Sequence, residues 1–341
     1  MIFGRKRRRD ETTELYDRHH NGSADSYGDP YGDPYGDADS DWDDEDALHL
    51  GDARFESDHR RTRLTSTLGC LLPLGLLALI AGGGFYGYQR VQDAVGSNSC
   101  KVRDDRFDYQ WSPEQVANSA TISMVGTDVL RLPTRASQIA NATAIQESKL
   151  RNLRSGDRDS LGLFQQRPSM GWGTAEQILD PVYASRRFYA ALVKVDQWQT
   201  RPLTEVAQDV QRSGYPEAYA DHETQGRVLA TSFEGKFPES LGCRLDDPTE
   251  PGSPTDVVAK LREQTGVTAT PSGKYVTVRA QSTKQAWGIG HWAVAHAQSE
   301  QISSVVVGGR AWNRTSDRSG WTWDKATNPT ASATTVRIEL H

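Results

Sequence analysis

The chain has 341 residues, of which 36% are hydrophobic, and a formal net charge of -6. This length predicts two modest domains rather than one large core. The acidic balance, and the lack of a phosphate-binding glycine loop or a cysteine-rich cluster, disfavour nucleic acid, nucleotide and zinc as ligands. We therefore expect no cofactor and no metal.

The acidic charge is concentrated near the start of the chain. Residues 10–58 contain seventeen Asp or Glu against two Arg and scarcely any aliphatic residue. Such a stretch cannot bury enough apolar surface to offset its chain entropy. We predict that residues 1–63 form a disordered acidic tail. Its Tyr-Gly-Asp repeat from Tyr27 leaves open a solvated segment or a docking segment for a cytoplasmic partner.

An uncharged stretch follows the tail. Residues 68–88 carry no charge for twenty-one positions, long enough for a helix to cross a hydrocarbon core of about 30 Å. We predict a transmembrane helix over residues 64–90. Arg60, Arg61 and Arg63 precede it, so the positive-inside bias places the tail in the cytoplasm and all later residues outside. The prediction is a single-pass plasma-membrane protein that contacts lipid through one helix.

Two cysteines lie beyond the predicted span. Cys100 and Cys243 bracket about 140 residues, and an exported compartment permits disulfides. We predict a Cys100–Cys243 bridge that ties together the ends of a domain over residues 98–244.

Helical signals fill this domain. Ser112-Pro-Glu-Gln has the form of a capping box and opens a helix to about residue 127. Thr134 is expected to cap the next helix. Further helices are predicted to start at Thr174 and to span residues 181–195, 203–212 and 216–233, with an exposed turn at residues 154–159.

One carboxylate stands out at the end of the second helix. Glu147 follows Ile145 by two positions, which turns it toward the margin of the apolar face. About fifteen residues later comes a Gly-Leu-Phe-Gln turn of the kind that lines a sugar groove. A single acid can cleave a glycosidic bond by protonating the leaving oxygen. The alternative is a solvated Glu147 that pairs with Arg151 at helical spacing.

A donating acid needs particular surroundings. A glutamic acid with an ordinary pKa of about 4.3 is ionised near neutrality, so it must be buried against apolar walls to keep its proton. The available aromatic walls are Phe164, Trp172 and Tyr219. Trp172 fits the core as well as it fits a groove.

The spaced motif resembles a known family. Glu147-Ser148, a polar loop and then Ser-x-Gly-Leu-Phe-Gln-x-x-Pro at residues 160–168 are similar to the lysozyme-like soluble lytic transglycosylases, especially actinobacterial and actinophage wall-cleaving domains. The resemblance covers about residues 111–233. It implies that Glu147 is the general acid and base, that the Ser148 hydroxyl steadies the reacting sugar and that Gln165 is a groove amide.

The same resemblance assigns three further substrate-binding positions. Gly162 and Phe164 belong to the turn, where the glycine serves backbone geometry. The later family signature, Ala-Tyr-Asn-Ala-Gly, is replaced here by residues 211–219, in which Tyr219 can supply the tyrosine and no Asn is present.

The product depends on a second carboxylate. Hydrolysis with inversion needs a base about 6.5 to 9.5 Å from the acid, and retention needs a closer nucleophile. Asp157 and Asp159 are candidates by position, although a polar loop favours solvated turn residues. Without a fixed second acid, the resemblance implies transglycosylation, with help from the neighbouring N-acetyl group and a 1,6-anhydro product.

The remaining chain changes character. Residues 245–255 form a Pro- and acid-rich linker, and residues 256–341 form a small α+β accessory domain. That domain is expected to contain helices at 256–265 and 284–298 and strands at 274–279, 302–307 and 334–340. Its many Trp residues either form a binding face or pack the core and anchor loops. We interpret His291 and His296 as ordinary histidines rather than metal ligands.

The predicted fold is therefore a mostly α, lysozyme-like domain plus a small α+β domain, a single transmembrane helix and a disordered tail. Two functions follow. The first is a membrane-anchored enzyme that cleaves peptidoglycan glycan strands, as lytic transglycosylase or muramidase. The second is a non-catalytic peptidoglycan-binding or scaffold protein that holds proteins of a wall or secretion complex.

Overall fold

The computed structural model describes residues 98–213 and 216–341, which belong to one compact unit. The predicted tail and the predicted membrane helix over residues 64–90 lie outside the described residues. Across the part that is described, no helix combines the length and the apolarity that crossing a membrane demands.

The described chain is an α+β fold. Its helices are α1 (Pro113–Met124), α2 (Thr134–Ser148), α3 (Ala175–Ile178), α4 (Pro181–Leu192), α5 (Leu203–Gln211), α6 (Glu223–Phe233), α7 (Pro254–Thr265) and α8 (Thr283–Ala295). A π-helical turn, Val125–Val129, extends α1, and 3-10 turns occupy Pro168–Met170, Pro216–His222 and Arg318–Trp321.

The strands form two antiparallel sheets. The first has the order β2-β1-β3, from β1 (Ser99–Arg103), β2 (Asp108–Trp111) and β3 (Leu241–Arg244). The second has the order β4-β5-β9-β6-β7-β8. Its strands are β4 (Ala269–Ser272), β5 (Tyr275–Arg279), β6 (Ile302–Val307), β7 (Arg310–Asn313), β8 (Asp324–Lys325) and β9 (Thr335–Leu340).

The predicted disulfide is confirmed. Cys100 and Cys243 are bonded and face each other in the β1–β3 register. Both are fully buried. The bridge joins the two ends of the helical segment, as the sequence predicts.

Local signals explain where the helices begin. Ser112 accepts a hydrogen bond from the Gln115 N–H, and the Gln115 side chain accepts one from the Ser112 N–H, which completes the predicted capping box. The same reciprocal pair forms at Thr174. At α2 the prediction is wrong by one residue, because Pro133 is the N-cap and Thr134 is the first helical residue.

Buried polar groups fix α1 against α2. The Ser119 hydroxyl donates to Asn141 Oδ1 at 2.6 Å, and Asn141 Nδ2 donates to the Ser123 hydroxyl at 2.9 Å. All three are buried, so each must find a partner within the protein. On the other side of α2, Gly226 lets α6 approach closely, since a Cβ there would lie 2.6 Å from the Gln138 carbonyl oxygen.

The C-terminal sheet packs on the helical part through a continuous core. Three indole N–H groups reach the first sheet: Trp312 donates to Cys243, Trp321 to Ser99 and Trp323 to Leu241. These tryptophans therefore anchor loops and fill the core, which is one of the two alternatives left open by the sequence. Residues 245–253, where the linker is predicted, form neither helix nor strand.

Candidate functional site

A cleft of about 920 Å³ opens beside the C-terminal end of α2. It is bounded by the loop that follows α2, by one face of α4 and by the end of α5. Its lining residues include Glu147, Gln165, Gln166 and Trp172 from the predicted region, and Arg187, Lys194, Gln211, Arg212 and Ser213 from α4, α5 and the residues that follow them.

Glu147 lies at the edge of the cleft and is half-buried. The Tyr219 hydroxyl donates a hydrogen bond to Glu147 Oε1 at 2.6 Å. Tyr219 lies in the Pro216–His222 turn and is fully buried, so its ring packs in the core and does not contact solvent. The structure thus joins two predicted site residues that are 72 positions apart.

Burial and charge keep the Tyr219 hydroxyl protonated. Removal from water raises the pKa of Tyr219 well above its usual range, and the hydrogen bond and charge of Glu147 raise it further. Ser213, which lines the cleft, also interacts with this phenol. The hydroxyl therefore keeps its proton near neutrality and can donate it to Glu147.

The chain turns sharply after Glu147. Lys149 and Leu150 both have left-handed backbone angles, and their N–H groups donate back to Ile145 and Ala144. This αL termination closes the carbonyl end of α2. It sends the chain away from the helix axis and leaves Glu147 on the last turn, beside open space.

Ser148 connects the helix end to the motif turn. Its buried hydroxyl lies 3.0 Å from the Ala144 carbonyl oxygen and 2.8 Å from the Leu163 carbonyl oxygen. These contacts position the turn relative to Glu147. The predicted contact of Ser148 with a sugar stays a prediction.

The turn depends on its glycine. Gly162 has a φ of 74°, and a Cβ at this position would lie 2.7 Å from the Ile178 carbonyl oxygen. Its N–H donates to Leu153 at 2.7 Å, and Leu161 pairs with Gln166 in an antiparallel bridge. The positive φ of Gly162 and the close approach of the Ile178 carbonyl both support the predicted role of this glycine in backbone geometry.

The aromatic residue of the motif lies under the cleft. Phe164 is fully buried and stacks on Phe188, with ring centroids 4.5 Å apart. A direct contact between its ring and a sugar would require the ring to leave the core. In the structure Phe164 supports the turn from beneath.

Three amide side chains meet at the turn. Gln165, with a φ of 47°, donates from Nε2 to the Gly162 carbonyl at 3.1 Å. Gln166 is buried and donates to Ala184 at 3.2 Å, while its Oε1 has no partner among the described residues. Gln211 donates to the Phe164 carbonyl at 2.7 Å. Amides bind sugar hydroxyl groups without adding charge, so this wall suits a neutral saccharide.

Trp172 forms another part of the wall. It is half-buried, packs against the core and lines the cleft, so it combines the core position and the groove position that the sequence left as alternatives. Its carbonyl accepts from the Tyr183 hydroxyl at 3.3 Å and from Arg187 Nε at 3.2 Å. Arg187 also donates to the Gly171 carbonyl at 3.0 Å. The loop that carries Trp172 is fixed by these bonds.

The carboxylates near Glu147 are engaged or exposed. Asp159 accepts from Arg167 Nε at 2.7 Å and from the Ser169 N–H at 2.8 Å, and these bonds, Arg167 first, hold its pKa far below the usual range. Asp209 is paired with Arg201 at 2.8 Å. Asp157 lines the cleft but is exposed, 3.9 Å from Arg158. Asp159 is therefore a structural anion that shapes the loop.

Other site residues carried too weak a signal in the sequence. Arg187 and Lys194 line the cleft but belong to no sequence motif, and Gln211, Arg212 and Ser213 lie in the segment over residues 211–219, in which only Tyr219 had been assigned a role. Arg187 lies on α4, and Lys194 lies two positions after that helix ends at Leu192. Nothing in the sequence indicated that this side of α4 borders a cleft.

Residues 98–213 and 216–341 contain no group of three His, Cys, Asp or Glu arranged to hold a metal ion. No protein-family model matches the chain, and no curated protein matches it significantly.

Proposed function

We propose that this protein is a membrane-anchored enzyme that cleaves the glycan strands of peptidoglycan, with Glu147 as general acid. The observation that carries the proposal is the Glu147 carboxylate at the margin of a roomy cleft, in contact with a buried tyrosine hydroxyl at 2.6 Å. The amide-bearing wall and the half-buried Trp172 supply groups of the kind that bind saccharides. The resemblance of the motif to lytic transglycosylases supports the same assignment.

The proposed reaction begins with proton transfer from Glu147 to the glycosidic oxygen as the bond from that oxygen to C1 of the sugar breaks. The Tyr219 hydroxyl holds the carboxyl group in place and stabilises the carboxylate that is left. The substrate's N-acetyl group assists at C1.

The reaction finishes when the C6 hydroxyl of the same sugar attacks C1 and its proton returns to Glu147. The products are a 1,6-anhydro sugar and a free hydroxyl end, and no water is consumed. Asp159 and Asp209 are engaged in ion pairs, and Asp157 is exposed beside Arg158 rather than fixed in the cleft, which supports this route over one that needs a fixed second carboxylate.

The decisive variant is Glu147→Gln, which keeps the shape of the side chain and removes the acid. Purified sacculi are incubated with each protein, the soluble muropeptides are separated and quantified, and their masses are measured by mass spectrometry. We expect release by the wild type and by the control Glu176→Gln, an exposed carboxylate on α3 away from the cleft. Glu147→Gln should release at least a hundred times less.

The masses also decide the chemistry. A 1,6-anhydro end is lighter by one water than the reducing end that hydrolysis leaves, so anhydro products support transglycosylation. Equal release by Glu147→Gln and wild type, or no release by either, would overturn the enzyme assignment. Binding to sacculi without release would instead support the non-catalytic, wall-binding function.

Membrane anchoring is part of the proposal and rests on the sequence of residues 68–88. We expect the full chain to sediment with membranes and to be extracted by detergent but not by salt. Removal of these residues should release the protein into the soluble fraction of the same compartment.

A further inference from the structure

One wall of the cleft is cationic. Arg187 and Lys194 line it from α4 and the turn that follows, and Arg212 lines it from the end of α5. All three side chains are exposed. The net charge of -6 comes from the acidic stretch over residues 10–58, whereas residues 98–341 contain 28 Lys or Arg against 27 Asp or Glu, so three cations on one wall are a local feature.

Two alanines separate two of the cations along the chain. Arg187, Ala190 and Ala191 lie on one face of α4, and Lys194 and Val195 follow the end of that helix at Leu192. All five residues line the cleft. Short side chains between two cations leave room for a substituent of the substrate.

The charges on this wall are not cancelled locally. Among the described residues, Lys194 and Arg212 have no ion pair, whereas Arg167 is paired with Asp159 and Arg201 with Asp209. Lys194 and Arg212 each follow the end of a helix, where a cation is favoured by the helix dipole. The helix dipole therefore favours a cation at these two positions, and Arg187 is held on the same wall by its bonds to the Trp172 and Gly171 carbonyls.

We propose that this cationic wall, Arg187, Lys194 and Arg212, binds carboxylates carried by substituents of the glycan strand, the acidic peptide stems of peptidoglycan. The inference rests on the proposed function, because Glu147 and the amide wall would hold the sugar while the cationic wall holds the stem. The preferred substrate is then a strand that still bears its peptides, rather than a bare glycan.

The test measures binding separately from cleavage. Full-length Glu147→Gln protein is titrated with three soluble probes: glycan strands with intact stems, the same strands with their stem carboxylates amidated, and strands stripped of stems by an amidase. We expect intact strands to bind at least tenfold more tightly than either of the others. The difference should shrink as salt is added, since exposed charges are screened.

The variants remove charge from the wall or from elsewhere. Lys194→Gln with Arg212→Gln, placed in the Glu147→Gln protein, should lower affinity for intact strands about tenfold, which corresponds to about 1.4 kcal/mol, because two exposed charge pairs with the stem are lost. The control is Arg262→Gln with Lys325→Gln. It removes two exposed cations outside the cleft, one of them also in the last turn of a helix.

Three results would overturn the stem site. One is equal affinity for intact, amidated and stripped strands. Another is an unchanged preference in the double variant. A phosphate-bearing wall polymer that displaces intact strands more strongly than free stem peptides do would assign the wall to that polymer and also contradict the proposal. Failure of wild-type protein to cleave sacculi would refute the proposed function alone, because these binding ratios are measured without catalysis.

Discussion

The hydrogen bond from Tyr219 to Glu147 provides the most direct test of the site. Tyr219→Phe removes one hydroxyl and leaves the ring in the core. The lost bond joins a neutral donor to a carboxylate at 2.6 Å. Hydrogen bonds to charged groups contribute about 1.5 to 3 kcal/mol, because water only partly replaces them.

If this energy is realised as the carboxylate forms in the transition state, the rate falls by about 10- to 150-fold. The loss should appear in kcat rather than in KM, since Tyr219 is buried and does not line the cleft. Its raised pKa adds a second expectation. The wild-type rate should show no loss from tyrosine ionisation up to about pH 10, the ordinary value for the group.

Tyr189 is the matched control. It is also a buried tyrosine, and its hydroxyl donates to the Ile122 carbonyl at 2.8 Å, away from Glu147. Tyr189→Phe removes this bond, although the Ile122 carbonyl still accepts from the Val125 N–H, and should lower the free energy of unfolding by about 0.5 to 1.5 kcal/mol while muropeptide release continues.

The assays are release of muropeptides from sacculi at several substrate concentrations and chemical denaturation of each variant. Tyr219→Phe should lose rate by more than its loss of stability explains. A Tyr219→Phe protein with the full wild-type rate would refute the role assigned to this bond. So would a Tyr189→Phe protein that loses as much rate as Tyr219→Phe.

Three further predictions concern the stability of the folded protein. Gly162→Ala should lower the free energy of unfolding more than Gly171→Ala, for which we expect a loss of about 1 to 2 kcal/mol. Both glycines have a positive φ, but only at Gly162 would the new Cβ lie 2.7 Å from a carbonyl oxygen. Equal losses in chemical denaturation would contradict this prediction. Burial lowers the pKa of His291 and His296 to about 4, below the ordinary 6.5, so the unfolded chain takes up protons at a higher pH than the folded chain does. The free energy of unfolding should therefore be greatest above about pH 6.5 and should fall as the pH is lowered toward 4. A free energy of unfolding that does not change in this window would refute the prediction. Replacement of Cys100 and Cys243 by serines should lower the free energy of unfolding by at most about 5 kcal/mol, the value expected for a separation of 143 residues. Reductant should destabilise the wild type and have no effect on the variant.

Local signals in the sequence were sufficient for several features. A capping box is complete within four residues, so the starts at Ser112 and Thr174 were predictable. The disulfide was predictable because only two cysteines follow the predicted span. The α+β character of the C-terminal part followed from alternating apolar residues, as in Thr335–Leu340.

Other features depend on contacts between distant parts of the chain. The sheet of β1, β2 and β3 escaped prediction because its strands have only four or five residues and lie at both ends of the helical segment. Burial of Phe164 depends on Phe188, which is 24 positions away. A turn motif specifies the angle of its glycine but not which neighbouring side chain packs beneath it.

Residues 211–219, where the sequence differs from the signature of the lytic transglycosylases that its motif resembles, also complete the site. Residues 211–219 lack the expected Asn, yet Gln211 donates to the Phe164 carbonyl and Tyr219 donates to Glu147. The first bond fixes the motif turn and the second fixes the acid, so one short segment sets the distance between them. Because Ser148 ties the same turn to α2 from the opposite side, the turn is held at two points. A change within this segment should therefore alter the position of the turn and of the acid together.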